Sequence, residues 1–267
     1  MDRIKQALVK ARQEGNVGLQ AVGGQTHTEM SVAVLKYEYV NTRTTELDPY
    51  LMSRNRIVAF NKNDCHSGTF DLLRTKILRK MDENGWRTLA ITSPTSGAGK
   101  TVVAINLAMS IAQRTERTTL LVDFDLRSPK VANYLGLTDG KSLNDVFQGE
   151  SEIFEALVNP GLPRLVILPT YKPETSPAEL LSSNRTKAMI NAIKGRYTDR
   201  MVIFDLPSLL QTDDAMAVLP QIDCVLLIIG DGEASRSDIE NSLSDMPALN
   251  IVGVVLNKSE AVKHGHQ

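Results

Sequence analysis

Residues 90–101 read Ala-Ile-Thr-Ser-Pro-Thr-Ser-Gly-Ala-Gly-Lys-Thr and constrain the fold of this chain more than any other segment. A short apolar run leads into a glycine-containing loop, and an Ala-rich apolar helix is predicted at 101–113. Strand, glycine loop and helix in this order form a cradle for phosphate, because the loop N–H groups and the helix dipole favour an anion there. The alternative is an ordinary glycine turn before a helix. The register of both glycines with the Lys-Thr pair disfavours it.

The loop residues predict how a nucleotide is held. Lys100 is placed to reach the β- and γ-phosphates, and the Thr101 hydroxyl is placed to ligate Mg²⁺. The usual pattern begins with glycine where this chain has Pro94. The predicted nucleotide-contacting residues of the loop are Ser96, Gly97, Ala98, Gly99, Lys100, Thr101 and Val102.

Short apolar runs alternate with helical patterns along most of the chain. Nearly continuous apolar runs are typical of parallel strands that are covered on both faces. The sequence therefore predicts an α/β fold: a doubly wound, mostly parallel sheet flanked by helices, with its ligand site at the C-terminal edge of the strands. The predicted strands lie at 88–92, 119–122, 165–168, 202–204, 224–229 and 251–256.

The pattern changes near residue 69, which predicts a domain boundary. An amphipathic helix is predicted at 70–81, and the α/β domain at 69–257. Residues 258–267 are predicted to be a solvated tail, in which His264 and His266 are too few to indicate a metal site. The predicted N-terminal extension, residues 1–68, consists of a helix at 2–13, a linker at 14–28, a strand at 31–40 and irregular chain.

Composition limits the compartment and the partners. The net charge is -1, so nothing favours electrostatic binding to nucleic acid or to an anionic membrane. Cys65 and Cys224 are the only cysteines and form no CxxC pair, which favours a reducing compartment. The longest apolar runs are of strand length, too short to span a bilayer. We therefore expect a cytoplasmic protein, peripheral to the inner face of the cell membrane only through a partner.

Acidic residues follow two of the predicted strands. Asp123 and Asp125 stand in Leu-Leu-Val-Asp-Phe-Asp-Leu-Arg-Ser-Pro, with Arg127 after them, and Asp205 ends Met-Val-Ile-Phe-Asp-Leu-Pro. The C-terminal strand edge faces the nucleotide in such a sheet. A carboxylate there can polarise an attacking hydroxyl, and another can hold Mg²⁺. A lone Asp at a strand end is usually a turn or cap residue, so the set, and not one residue, carries the prediction.

These segments resemble the bacterial tyrosine kinases (BY-kinases) of exopolysaccharide and capsule synthesis, which are relatives of the partition and division-site ATPases. Asp-Phe-Asp-Leu-Arg-Ser-Pro is similar to their Walker A′ motif, and Phe-Asp-Leu-Pro to their Walker B motif. The resemblance extends over about residues 69–257. It implies ATP and Mg²⁺ as cofactors and transfer of the γ-phosphoryl group to tyrosine. It also implies a membrane polysaccharide co-polymerase or exporter as activating partner, and a homo-oligomer.

The resemblance also implies roles for individual residues. Lys100 would stabilise phosphate charge, and Asp123 would activate the acceptor hydroxyl. Asp125 and Asp205 would organise Mg²⁺ together with Thr101. Two further assignments complete the predicted site: Arg127 supports the catalytic group, and Asn257 contacts the adenine or else only closes the last strand.

The chain departs from the family at several positions. Partition ATPases carry a signature lysine where this chain has Thr95, which favours the kinase branch. The tyrosine-rich tail usual in kinases that phosphorylate themselves is absent, and the last tyrosine is Tyr197. Tyr37 and Tyr39 are substitute acceptors or, more simply, residues on one strand face. The family's ExxRxxR assembly pattern is broken at Ile77.

Two alternatives therefore stay open beside the kinase. The missing tail favours a nucleotide-dependent switch that binds ATP without phosphorylating protein. A partition-type positioning ATPase is the third hypothesis. It is disfavoured by Thr95 and by the lack of a C-terminal amphipathic membrane helix.

Overall fold

A computed structural model of the protein describes residues 42–196, 200–246 and 248–259. The chain divides into a unit of residues 1–36 and a unit of residues 37–267, and every described residue belongs to the second. The predicted helix at 2–13, the linker at 14–28, the strand at 31–40 with Tyr37 and Tyr39, Tyr197, and the histidines of the tail lie outside the described residues.

One mixed sheet organises the described chain. Its strands are β1 (Arg43–Thr44), β2 (Thr88–Thr92), β3 (Thr118–Asp123), β4 (Val158–Asn159), β5 (Leu165–Leu168), β6 (Arg200–Asp205), β7 (Cys224–Gly230) and β8 (Ile251–Asn257). The α-helices are α1 (Pro49–Arg54), α2 (Ser67–Asn84), α3 (Lys100–Arg114), α4 (Val131–Leu135), α5 (Leu143–Gln148), α6 (Ile153–Ala156), α7 (Pro177–Ser182), α8 (Asn184–Arg196), α9 (Asp214–Val218) and α10 (Arg236–Ser244).

The strand order is β1-β4-β5-β3-β6-β2-β7-β8, and every pairing is parallel except β4 with β5. The predicted doubly wound, mostly parallel fold is confirmed, and all six predicted strands are present. Because β2, β3 and β6 lie side by side, their C-terminal ends meet at one edge of the sheet. That edge carries the candidate site.

Alternating residues of the central strands pack into two hydrophobic layers, one on each face of the sheet. Leu89 and Ile91 of β2 belong to the layer that contains α2 and α3, whereas Ala90 between them belongs to the opposite layer with α5, α8 and α9. Each residue of β2 and of β3 is buried, as expected for strands that are covered on both faces. The continuous apolar runs in the sequence are the consequence of this double cover.

The two long helices of the first layer, α2 and α3, extend beyond the bounds that the sequence predicts. α2 was expected at 70–81 and spans Ser67–Asn84, ending where Gly85 adopts a left-handed φ of 68°. α3 begins at Lys100, one residue before the predicted start. Arg74 of α2 donates to the Ser110 hydroxyl of α3 at 2.9 Å, so a polar contact supplements the apolar packing between the helices.

Residues 42–66, predicted as irregular extension, contribute to the same core. Met52 of α1 and Ile57 are buried in the layer formed by α2 and α3. The amide of Asn106 joins them to α3: its Oδ1 accepts from the Ala59 N–H at 2.8 Å, and its Nδ2 donates to the Arg56 carbonyl at 3.0 Å. The domain boundary near residue 69 stays a prediction.

Among the described residues, no helix combines the length and apolarity that crossing a bilayer requires.

Candidate nucleotide-binding site

The loop between β2 and α3 has the backbone shape of a phosphate cradle. Gly97 and Gly99 adopt left-handed φ angles of 83° and 89°, which strongly favour glycine. A Cβ on Gly99 would displace the Asn257 amide nitrogen, so a side chain there would disturb that contact as well as strain the backbone. α3 begins at Lys100, directly after this turn. The N–H groups of its first turn have no partner within the helix and point toward the loop.

Neighbouring segments hold this loop in place. The N–H groups of Leu209 and Leu210 donate to the carbonyls of Ser93 and Pro94, at 2.9 and 3.2 Å. Asn257 Nδ2, at the end of β8, donates to the Ala98 carbonyl at 2.8 Å. Pro94 replaces the usual first glycine without disturbing the loop, because the cradle is formed by residues beyond it.

Thr101 and Asp205 meet below the cradle. The Thr101 hydroxyl donates to Asp205 Oδ2 at 2.6 Å. Asp205 is fully buried, and its Oδ1 has no hydrogen-bond partner in the described part of the chain. Burial raises the pKa of Asp205 to about 7, against the stabilising Thr101 hydrogen bond and the Lys100 charge. A buried carboxylate oxygen without a partner, beside a hydroxyl, fits the oxygen ligands that Mg²⁺ prefers.

Lys100 is buried at the start of α3. Burial lowers the pKa of its ammonium, and the charges of Asp205 and Asp125 oppose that shift. Its charge therefore lies in a poorly hydrated position beside the cradle, where it interacts strongly with an anion.

Asp123 lies beside Asp205 on the neighbouring strand, since β3 and β6 pair these two residues in register. It is fully buried, and its Oδ2 accepts from the N–H groups of Lys130 and Val131 at 3.0 and 2.9 Å. Burial first, and then the Asp205 charge, raises the pKa of Asp123 well above its usual range. Two buried carboxyl groups side by side favour a proton or a cation between them.

Asp125 and Arg127 lie on the loop that leaves β3. The Asp125 carboxylate accepts from the Ser128 N–H at 3.0 Å, and burial raises its pKa. Arg127 makes two hydrogen bonds to the buried Asp214 of α9, Nε to Oδ2 at 2.9 Å and a second at 3.1 Å to Oδ1. The sequence analysis did not single out Asp214, because this residue lies at the start of α9 and not at the end of a strand, which is the position that identified Asp123.

Glu233, after β7, is a second site residue that the sequence analysis missed. A Cβ on Gly97 would lie 3.2 Å from Glu233 Oε2, and the Thr95 hydroxyl donates to the Glu233 carbonyl at 3.1 Å. Lys258 Nζ pairs with Glu233 Oε1 at 2.7 Å. A carboxylate therefore borders the cradle, with its own counter-ion beside it.

The structure brings most of the predicted residues to the C-terminal edge of β2, β3 and β6. Ser96 is exposed on the loop and accepts from Gln211 Nε2 at 3.1 Å, while Ala98 is buried. Val102 is half-buried in the first turn of α3. Asn257 uses its amide nitrogen on the loop carbonyl. The catalytic, metal-binding and adenine-binding roles assigned to these residues stay predictions.

The fold and the phosphate cradle define a P-loop nucleotide-binding protein. A family model described as the CobQ/CobB/MinD/ParA nucleotide binding domain matches residues 89–267. The tyrosine-protein kinase CpsD of Streptococcus agalactiae serotype Ia is 30% identical over 197 residues, which cover 72% of this chain and 83% of that protein. The chain belongs to this nucleotide-binding family and, within it, to the bacterial tyrosine kinases.

Two solved structures agree with this assignment. The kinase domain of VpsO is 25% identical, with a TM-score of 0.65 over 73% of this chain and 97% of that domain. The septum site-determining protein MinD of Pyrococcus horikoshii, complexed with Mg-ADP, is 26% identical, with a TM-score of 0.55 over 65% of this chain and 72% of that protein. The predicted fold and the predicted family are thereby confirmed.

Proposed function

We propose that this protein is an ATP-dependent tyrosine kinase that uses Mg²⁺ and regulates the synthesis or export of an exopolysaccharide or capsule. The observation that carries the proposal is the buried pair of Thr101 and Asp205 beneath the cradle, with Asp123 in register beside it. The cradle alone supports nucleotide binding. The acidic residues on two adjacent strands add what phosphoryl transfer requires, which is a metal position and a group that can accept a proton.

Different residues would bind the phosphates and the cation. The N–H groups of the loop and of the first turn of α3 bind the phosphates, and Lys100 adds a poorly hydrated positive charge. Thr101 Oγ1 and the free Oδ1 of Asp205 would hold the cation, with Asp125 near them. When bound, Mg²⁺ would neutralise charge on the phosphate oxygens.

Asp123 would orient the acceptor hydroxyl and take up its proton. The raised pKa of Asp123 supports this role, because its ionised carboxylate binds a proton more strongly than an exposed carboxylate does. Two backbone N–H groups fix its Oδ2, so its other oxygen, which has only a long contact of 3.3 Å from the Asp125 N–H, is the one for the acceptor.

One described tyrosine suits transfer between molecules. Tyr50 is 76% exposed on α1. By contrast, the Tyr171 hydroxyl donates to the Asp139 carbonyl and accepts from Arg43, and Tyr134 packs against the core. We therefore expect Tyr50 to be an acceptor for a second copy of the enzyme.

The similarity to the bacterial tyrosine kinases supports an activating partner. We propose a membrane polysaccharide co-polymerase or exporter, which would recruit the protein to the inner face of the cell membrane. The net charge of -1 supports recruitment by protein contact over direct binding to anionic lipid.

A nucleotide-dependent switch is the second candidate. The loop that carries Glu233 favours it, because this loop contacts the cradle through Thr95 and could report the nucleotide state to a partner. A partition-type ATPase has less support, because Thr95 stands in place of the signature lysine and its hydroxyl is used within the chain.

The test is phosphotyrosine mapping by mass spectrometry. The full chain is incubated with ATP and Mg²⁺, alone and with the cytoplasmic segment of an envelope polysaccharide co-polymerase. We expect label on tyrosine, its loss in Lys100→Ala, and its retention in Lys187→Ala, which removes an exposed lysine of α8. Tyr50→Phe should lose a large part of the label on the chain itself.

Failure of the kinase proposal has a distinct signature. If ATP binds but no tyrosine on the chain or on any partner is labelled, the protein is not a kinase. Partner affinity measured in the nucleotide-free, ADP and ATP forms then tests the switch, which predicts unequal values. Equal values in all three forms would exclude that candidate too.

A further inference from the structure

Three metal-ligating side chains converge at the turn that begins α2, far along the chain from the nucleotide site. They belong to Asp64, Cys65 and His66, and their ligand atoms all lie within 4.8 Å of one another. Cys65 Sγ is 3.3 Å from His66 Nδ1, and His66 Nδ1 is 3.3 Å from Asp64 Oδ1. We propose that this turn is a binding site for Zn²⁺.

The distances fit one zinc ion. Zn–S bonds of about 2.3 Å and Zn–N or Zn–O bonds of about 2.0–2.1 Å, at tetrahedral angles, separate sulfur from nitrogen by about 3.5 Å and nitrogen from oxygen by about 3.3 Å. The two separations in the turn come close to these values, and the third pair of ligand atoms, the Cys65 sulfur and an Asp64 carboxylate oxygen, lies within 4.8 Å. Three protein ligands leave a fourth position for water, the arrangement of an open zinc site.

The chemistry of the ligands selects the metal. A thiolate, an imidazole and a carboxylate form a mixed set that suits borderline-soft zinc, whereas Mg²⁺ and Ca²⁺ require oxygen ligands. The reverse holds at the nucleotide site, where the described ligand candidates are the oxygens of Thr101 and Asp205. The two sites therefore take different cations. Zinc binding would release the proton of the Cys65 thiol to solvent as the sulfur–metal bond forms.

The backbone already fixes the turn. The His66 N–H donates to Asp64 Oδ1 at 2.8 Å, and the Asp64 N–H donates to the Asn61 carbonyl at 3.0 Å. The Ser67 N–H donates to the Asp64 carbonyl at 3.0 Å, which leads directly into α2. The ligands thus lie on an ordered turn, and Cys65 and His66 are exposed to solvent while Asp64 is partly buried.

The test is Co²⁺ titration of the full chain with excess Mg²⁺ present. Co²⁺ substitutes for zinc, and a cobalt–thiolate bond gives a charge-transfer absorption band that oxygen and nitrogen ligands do not give. We expect one equivalent to produce this band and Zn²⁺ to displace it. Cys65→Ser should abolish the band, and His66→Ala and Asp64→Asn should each weaken Co²⁺ binding at least about tenfold.

Matched controls separate this site from others. Cys224→Ala should keep the band, because Cys224 is buried and burial raises its thiol pKa to about 12. His27→Ala removes a histidine elsewhere in the chain and should also keep it. A second readout is alkylation of Cys65 by iodoacetamide, followed by mass spectrometry, which Zn²⁺ should slow in the unmodified chain and in Lys100→Ala alike.

Two results would overturn the proposal. One is the absence of a thiolate band at saturating Co²⁺ together with alkylation of Cys65 at the same rate with and without Zn²⁺. The other is a band of undiminished strength in Cys65→Ser. Neither result depends on kinase activity, so failure of the zinc site and failure of the kinase are distinguishable.

Discussion

At the scale of single residues, burying the Asp205 carboxylate has a cost in stability, at the position where we propose that Mg²⁺ binds. The folded-state pKa of Asp205 is about 7, against 3.8 for the free carboxyl group, so the folded protein holds the proton more tightly than the unfolded chain does. Between about pH 4 and pH 7 the free energy of unfolding therefore falls as pH rises, and above pH 7 the destabilisation is complete. A cation at the free oxygen would offset it.

Asp205→Asn should remove the part of this pH dependence that Asp205 contributes and leave the part due to Asp123 and Asp125. Without nucleotide or Mg²⁺, we expect the variant to unfold at a higher temperature than the original chain at pH 8 and at a similar temperature near pH 4. The stabilisation that ATP gives in the presence of Mg²⁺ should be lost. Circular dichroism melting curves at both pH values measure this. Asp231→Asn, at an exposed acid after β7, should change neither property, and a variant less stable than the original at pH 8 would contradict the argument.

At the same scale, we expect Asp214 to position Arg127. A buried carboxylate with two hydrogen bonds to one guanidinium fixes the arginine more firmly than a surface pair does. Asp214→Asn and Arg127→Lys should each lower the turnover rate by one to two orders of magnitude, with ATP affinity nearly unchanged, because the geometry and not the binding is lost.

The double variant is the check on that pairing. If Asp214 works only by positioning Arg127, then combining the two substitutions should lower the rate little further than either one alone. Fully additive losses would show that Asp214 acts independently. Circular dichroism should show folded protein in all three variants.

At the scale of elements, the cradle is bordered by the loop after β7 and by the end of β8. Glu233 brings a negative charge to Gly97, and Lys258 partly neutralises it. The Glu233 carboxylate should repel the phosphates of ATP, and the repulsion between two unit charges about 4 Å apart in water is about 1 kcal/mol. Glu233→Gln should therefore strengthen ATP binding about fivefold at low salt. Calorimetric titration at low and high salt measures the change. Glu240→Gln, on exposed α10, is the control, and unchanged affinity at low salt would contradict the prediction.

The same elements show what the sequence could and could not predict. Five of the predicted strands and α3 were predicted because covering on both faces leaves continuous apolar runs, and because the glycine loop has a fixed register. β8 was predicted from its apolar run, although Val254 and Leu256 are exposed. β1 and β4 were missed, since two-residue strands such as Arg43–Thr44 carry no period. Asp214 and Glu233 were missed because the site residues that they contact, Arg127 and Thr95, are 87 and 138 residues away in the chain.

At the scale of the whole molecule, the described fold is built around two hydrophobic layers. Residues that precede residue 69, such as Met52, are buried in one of these layers. Met52 is 1% exposed in the layer of α2 and α3, while Tyr50, on the same helix, is 76% exposed. If α1 unfolds together with the rest of the domain, then removing the Met52 side chain should destabilise the whole domain. A separate extension would leave that stability untouched.

Met52→Ala should therefore lower the free energy of unfolding by about 2–5 kcal/mol, the usual effect of a cavity in a well-packed core. Tyr50→Ala, two residues away, should change it by less than about 0.5 kcal/mol. Urea unfolding followed by circular dichroism gives both values, and both variants should keep the slope of the transition. An equally small effect of the two substitutions would place α1 outside the cooperative unit and would favour a domain that begins near residue 69.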